Sequence, residues 1–398
     1  MKLKRTAPLI AGALVYLFIG LIYAWSIFAP SLEAEFGWNR TQTSVAFTVS
    51  MSCFCLGSVL SGFIQKKRSP KTVFILSALL FAIGFFGASR ISSLLGLYVS
   101  YGVFCGLGVG MSYNADISTV TKWYPDKTGM VSGILLMCFG LGSMILGSLA
   151  SSLISSIGWR KTFALFAVIF PALILLCSFW IRPPETDTVL PEAEKSAAGT
   201  GSEAGLELSP LQMLGRKSFW FFFIWASVLS AAGLAIIGHV GTCIKDIGAT
   251  VALATLASGI VSVFNGLGRI VVGLIFDKFG RRVSMVYGNL MMLAAFVIFI
   301  ISYGAGSIPL FFAAAVILGL GYGSIPPMNS AFVSLFYGKK NYPLNFSVVN
   351  LNVIPASILG PLMGGAIQTA TGSYTGLFII MLALSAVVFV LQFFIKKL

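Results

Sequence analysis

Runs of about twenty predominantly apolar residues, the length of helix that crosses a bilayer's hydrocarbon layer, recur along almost the entire chain. They fall roughly at 7–31, 41–64, 72–89, 94–121, 129–157, 162–182, 218–244, 250–275, 283–303, 307–336, 342–370 and 374–395. Lys/Arg clusters, Gly-Trp pairs (Gly37-Trp38, Gly158-Trp159) or proline-containing turns separate them. Of 398 residues only 10% are charged and 57% are hydrophobic, with mean hydropathy +0.95. A soluble domain usually has about a quarter of its residues charged, so a soluble enzyme is excluded. Strands of a membrane barrel would be ~10 residues long with strict alternation, a pattern this sequence lacks. The chain is expected to be an all-α integral membrane protein with twelve transmembrane helices.

The basic residues divide unevenly between alternate connections. One set of connections holds twenty of them, from Lys2, Lys4 and Arg5 through Lys66, Lys67 and Arg68 to Lys396 and Lys397; the opposite set holds Arg40, Arg90, Arg160, Lys161 and Lys245. Lys and Arg concentrate in cytoplasmic loops. Both termini are therefore expected in the cytoplasm, and the protein in the cell inner membrane as a multi-pass chain. The same bias accounts for the net charge of +14 without a nucleic-acid partner. Met1 to Arg5 followed by an apolar stretch imitates a secretory signal, but the stretch runs to about Leu32. That exceeds the ~7–15 residues of a signal core, so it is read as the first helix.

Composition changes abruptly in the middle. Residues 183–215 carry Pro183, Pro184, Pro191, Ser/Gly/Ala runs and six of the twelve acidic residues, the makeup of a flexible linker. The expected organisation is an N-terminal six-helix bundle at 1–182, a cytoplasmic linker at 183–215 and a C-terminal six-helix bundle at 216–398. The halves share a signal. Gly273-Leu-Ile-Phe-Asp277-Lys278-Phe-Gly280-Arg281-Arg282 follows the eighth run, and a degenerate copy, Gly62-Phe-Ile-Gln-Lys66-Lys67-Arg-Ser-Pro-Lys71, follows the second. Glycine permits close helix approach, and an aspartate can cap a neighbouring helix or pair with a base.

Twelve helices, a central loop and this G-x-x-x-D-[RK]-x-G-[RK]-[RK] turn resemble the Major Facilitator Superfamily, over the whole chain. Finer segments are similar to the oxalate/formate antiporters and to bacterial relatives of the monocarboxylate transporters: Tyr23-Ala-Trp25-Ser, Gly37-Trp38-Asn-Arg40-Thr, Trp123-Tyr-Pro125-Asp126-Lys127-Thr-Gly129 and Phe264-Asn265-Gly-Leu-Gly-Arg269. The resemblance implies small carboxylates as cargo. It also implies that Tyr23, Tyr113 and Tyr322 line the anion pocket. Two departures stand out. The monocarboxylate transporters place an acidic residue one turn from the eighth-helix arginine, where this chain has Asn265. The oxalate exchanger has a second cation in the eleventh helix, where this chain offers Asn350 to Pro355 with no Lys or Arg. One central cation favours a monoanion.

Arg269 is the most informative residue. Eight positions before Asp277, it lies about 12 Å inside the helix end, close to mid-membrane, where ionisable groups usually face a cavity or a partner. Ser258, Ser262, Asn265 and Arg269 share one helical face. A guanidinium offers a carboxylate two parallel hydrogen bonds; the alternative is a structural ion pair, with Asp116 as partner. Asp116 is the only carboxylate inside an expected helix, and is a proton site, a gate partner or a residue reaching the interface. His239, the sole histidine, is either a proton-coupling group or a hydrogen-bonded packing residue. Pro326-Pro327, Pro355 and Pro361 can kink their helices.

No cofactor or metal is expected: the six cysteines sit in apolar runs, one histidine makes no metal site, and Gly108-x-Gly110 has no strand beside it. The expected function is secondary active transport of small monocarboxylates (lactate, pyruvate, formate) by alternating access, coupled to protons, the protein working as a monomer in the lipid bilayer. The alternatives are an oxalate/formate-type anion exchanger and a non-transporting membrane carboxylate sensor.

Overall fold

A computed structural model describes residues 5–184 and 207–396. Among them, ten helical stretches are long and apolar enough to cross a membrane. Two are far too long for one crossing. Thr128–Ser178 has 51 residues and Leu256–Ala305 has 50, and each breaks at a glycine of left-handed backbone, Gly158 (φ 81°) and Gly280 (φ 75°). A Cβ is disfavoured in that conformation, so glycine marks where the chain can reverse. With the arms taken separately, the spans number twelve, and the protein is a multi-pass, all-helical membrane protein.

We number the helices as follows. α1 is Thr6–Ile19, a 3₁₀ turn Gly20–Ala24 and Trp25–Phe36. α2 is Arg40–Gln65, α3 Pro70–Ser89, α4 Leu94–Trp123, α5 128–157 and α6 159–178. α7 is Lys217–Asp246, α8 251–279, α9 281–305, α10 Ile308–Tyr337, α11 342–371 and α12 Thr375–Phe394.

Several helices are interrupted where the chemistry demands it. α10 breaks at Ser324, because Pro326 and Pro327 supply no N–H for the carbonyls of Tyr322 and Gly323. α11 breaks over Leu351-Asn352, because Pro355 has no N–H for the Leu351 carbonyl. Pro361 lies within the continuing helix. In α4, Tyr98–Cys105 widens into a π-helix.

Two compact units emerge among the described residues: one takes 5–126, 134–184 and 341–348, the other 127–133, 207–340 and 349–396. In the first, Phe28 stacks on Phe163 at 4.7 Å and Phe85 meets Phe170 edge-on at 5.0 Å. Beyond Thr6–Ala24, Glu35 accepts hydrogen bonds from Arg160 Nη2 (2.8 Å) and Trp159 Nε1 (2.7 Å), which hold its carboxyl below the usual carboxylate range. In the second, Phe222 stacks on Phe332 at 3.8 Å. Val168, Leu176, Val387 and Val390 are more than half exposed, as a lipid-facing surface requires.

Most of the linker expected over 183–215 lies outside the described residues, at 185–206. Its described end is held to the α10–α11 turn. Glu207 accepts from the amides of Lys339 (3.2 Å) and Lys340 (2.7 Å), and the Leu208 amide donates to the Tyr337 carbonyl (3.2 Å).

Candidate functional site

In the second unit, Arg269 and Asn265 lie one turn apart on α8 and are both buried, each 6% exposed. Their outer neighbours behave differently. Ser258 and Ser262 are exposed, and their hydroxyls donate to Ala254 O (3.2 Å) and Ser258 O (3.0 Å) of their own helix. The polar face expected from spacing is thus continuous in sequence but divided in chemistry.

Glycines bring α8 and α10 together at this level. A methyl group on Gly268 would stand 2.5 Å from Leu320 O, and one on Gly319 3.0 Å from Asn265 N. One on Gly323 would collide with Asn265 O. Tyr322, half-buried beside Gly323, presses its ring onto Gly233 of α7, where a side chain has no room. Small residues at such crossings let backbones touch.

Further along α8 the turn from Gly273 to Arg282 has definite tasks. Gly273 packs against the backbone of Gly129, and a methyl group on Gly133 would stand 2.5 Å from Arg269 O. Asp277 accepts from the amides of Gly129 (2.9 Å) and Met130 (2.7 Å), satisfying donors that the first turn of a helix leaves open and placing negative charge at its positive end. Gly280 makes the reversal into α9. Arg281 donates from Nη2 to Ile395 O at 3.0 Å, while Arg282 is exposed.

Buried amides also gather in this unit. Asn329 Nδ2 donates to Asn350 Oδ1 at 3.1 Å, while Asn329 Oδ1, Asn350 Nδ2 and Asn352 Oδ1 have no partner among the described residues. Asn329 was not singled out in the sequence; only its place one turn after Pro326 distinguishes it. His239 has both ring nitrogens engaged, Nε2 with Pro361 O at 3.0 Å and Nδ1 with the Tyr374 hydroxyl at 3.3 Å. A neutral ring donating from Nε2 and accepting at Nδ1 satisfies both.

In the first unit, Tyr23 sits on the 3₁₀ turn of α1, 38% exposed, and Tyr113 is buried in α4. Both rings rest on Phe139, at 5.1 and 5.4 Å, and Tyr113 also contacts Tyr16 and Phe54, each at 5.1 Å. Phe139 is the shared wall, and nothing separates it in sequence from the other 33 phenylalanines of a total of 34. One turn past Tyr113, Asp116 is fully buried against α1. A methyl group on Gly12 would stand 2.5 Å from its Oδ1, and neither carboxylate oxygen has a hydrogen-bond partner among the described residues.

Comparison with known proteins gives these features a family. The chain is 27% identical over 391 residues to the oxalate:formate antiporter of Oxalobacter formigenes, covering 97% of this chain and 90% of that one. It is 20% identical over 375 residues to monocarboxylate transporter 13 of Rattus norvegicus, covering 93% and 82%. Among solved structures it is similar to the proton:xylose symporter XylE, with a TM-score of 0.71 at 14% identity over 99% of this chain and 97% of that one; at that identity the likeness concerns the fold. The sequence profile of the Major Facilitator Superfamily matches residues 9–242 and again 230–397. Nearly every residue thus falls under one profile, and the chain belongs to the Major Facilitator Superfamily, a transporter rather than an enzyme.

Proposed function

We propose that this transporter moves small monocarboxylates of the lactate, pyruvate and formate class by alternating access, coupled to protons, with both termini in the cytoplasm and the chain working as a monomer in the inner membrane. Two six-helix halves, 1–182 and 216–398, rock about the substrate. The observation that carries the reading is the burial of Arg269 with Asn265 in the middle of a membrane-long helix. A buried guanidinium is costly in hydrocarbon and matches a carboxylate with two parallel hydrogen bonds. Asn265 and the phenols of Tyr23, Tyr113 and Tyr322 donate to the anion, and their rings exclude water.

Asp116 carries the proton. Its carboxyl is enclosed, and no described residue compensates a negative charge there by hydrogen bonding, so the neutral acid suits one state of the cycle and the anion another. The uncharged amides of Asn350 and Asn352 in α11 support a monoanion over the dianion that an oxalate exchanger must hold.

The test is uptake of labelled carboxylate into proteoliposomes, with a pH gradient or with internal anion, beside a direct binding measurement. Arg269→Ala should lose about 2–5 kcal/mol of anion binding, a tens- to thousands-fold loss of affinity. Arg269→Lys, which keeps charge without the planar fork, should recover part of it. Folded Arg269→Ala that binds carboxylates with parental affinity would overturn the assignment. Uptake driven only by internal anion, in place of a proton gradient, would favour the exchanger. Binding without uptake would favour a sensor.

A further inference from the structure

The start of α9 and the end of α12 enclose a cavity of about 210 Å³ lined by Arg281, Arg282, Met285, Val286, Gln392 and Phe393. The residues divide by chemistry. Two guanidinium groups and one amide supply the polar part, and among the described residues no acidic one lines the cavity. Arg281 is fixed from two sides, donating to Ile395 O at 3.0 Å with its guanidinium 5.1 Å from the centre of the Phe336 ring. Arg282 is exposed and joins no ion pair among the described residues. Gln392 is only 5% exposed, yet neither its Nε2 nor its Oε1 has a hydrogen-bond partner among the described residues. A buried amide with both ends open is a donor and an acceptor awaiting a ligand. On the apolar side, Phe393 is 56% exposed.

We propose that this cavity binds a phosphate ester, supplied by an anionic lipid headgroup. The guanidinium of Arg282 and Gln392 Nε2 donate to the phosphate oxygens, and Arg281 adds the charge of a cation already held in place. Guanidinium forks suit phosphate, and basic pockets between membrane helices take up such headgroups. Gln392 Oε1 requires a donor, which a headgroup hydroxyl of the glycerol type provides. Val286 and Phe393 then lie along the hydrocarbon portion. The composition of the pocket, cationic and amide at one side and exposed aromatic at the other, matches an amphiphile better than a free ion.

The test uses the delipidated full chain in detergent, titrated with short-chain phosphatidylglycerol, with phosphatidylcholine of the same chain length, and with inorganic phosphate. Binding is followed by native mass spectrometry, or by thermal shift for phosphate. Phosphatidylglycerol should bind at least about tenfold more tightly than phosphatidylcholine, and Arg282→Ala should weaken it about tenfold, the equivalent of one charge-assisted contact. Gln392→Leu should weaken it several-fold. Val286→Trp fills the cavity while leaving every charge in place and should do the same, which keeps the test decisive should Arg282→Ala fold poorly. Binding of inorganic phosphate with the same Arg282 dependence would keep the phosphate site and assign its occupant to solution. Equal retention of the two lipids, or phosphatidylglycerol binding indifferent to both Arg282→Ala and Val286→Trp, would overturn the proposal.

Discussion

Removing the carboxylate of Asp277 should loosen the start of α5 by a calculable amount. The two oxygens accept from the amides of Gly129 (2.9 Å) and Met130 (2.7 Å), and Gly129 is buried while Met130 is partly accessible. Leaving a buried donor without an acceptor costs about 1–3 kcal/mol. Water can reach the Met130 amide more readily, so its share falls at the low end of that range. The charge at the helix's positive end adds about 0.3–1 kcal/mol. Asp277→Ala should therefore destabilise the protein by roughly 2–5 kcal/mol. Asp277→Asn keeps one good acceptor but turns an amide towards the second donor and loses the charge, so about half that loss is expected. Equilibrium unfolding in mixed micelles, with the wild type and both variants at one pH, reads the difference. An Asp277→Ala protein as stable as the wild type, or indistinguishable from Asp277→Asn, would refute the capping argument.

Three further outcomes follow from residues already described. In intact cells, a cysteine at Arg68 should react only with reagents admitted to the cytoplasm and one at Ser92 with impermeant reagents outside, read by mass-tag labelling; the reverse pattern would invert the topology. Gly323→Ala should cost about 1–3 kcal/mol, because its methyl group meets the backbone of Asn265, whereas Gly259→Ala, with nothing within 4 Å among the described residues, should gain up to about 1 kcal/mol from helix propensity; unfolding midpoints of the pair give the comparison. Glu35 is held below its ordinary value of 4.5 by hydrogen bonds from Arg160 and Trp159, so its contribution is present above that value and lost as pH falls through the lower folded one. Arg160→Ala should therefore flatten the acid limb of a stability–pH profile, and an unchanged limb would remove Glu35 from the account.

The helices were legible because each boundary has a local cause. Gly158 before Trp159 and Gly280 before Arg281 announce reversals, and Pro326, Pro327 and Pro355 mark the interruptions of α10 and α11 by the hydrogen bonds they cannot make. The 3₁₀ turn at Gly20–Ala24 has no such signal. Its setting is tertiary: a methyl group on Gly142 of α5 would stand 2.9 Å from the Gly20 Cα, a contact between residues more than a hundred positions apart. The π-helix over Tyr98–Cys105 is likewise unmarked in its own residues. For the candidate site, a lone arginine deep in an apolar run is conspicuous in any sequence. Phe139 is not, since its importance comes from the two tyrosines that rest on it. The same holds for Asn329, whose meaning lies in Asn350, and for Ser258 and Ser262, whose spacing says polar but whose hydroxyls turn back on their own helix.

The crossing of α8 and α10 has a mechanical consequence. Where Gly268 and Gly323 meet Leu320 and Asn265, the nearest described atoms are main chain on both sides, and at Gly319 the Phe264 Cβ joins them, so little at the crossing can absorb a shift by changing rotamer. Such a joint resists sliding, because even a fraction of a turn would drive carbonyl oxygens into the opposing backbone. The two helices therefore move as one lever, and any tilt that displaces Arg269 carries α10 and its Tyr322 with it. A push on the cation is passed on as rotation rather than dissipated as local repacking.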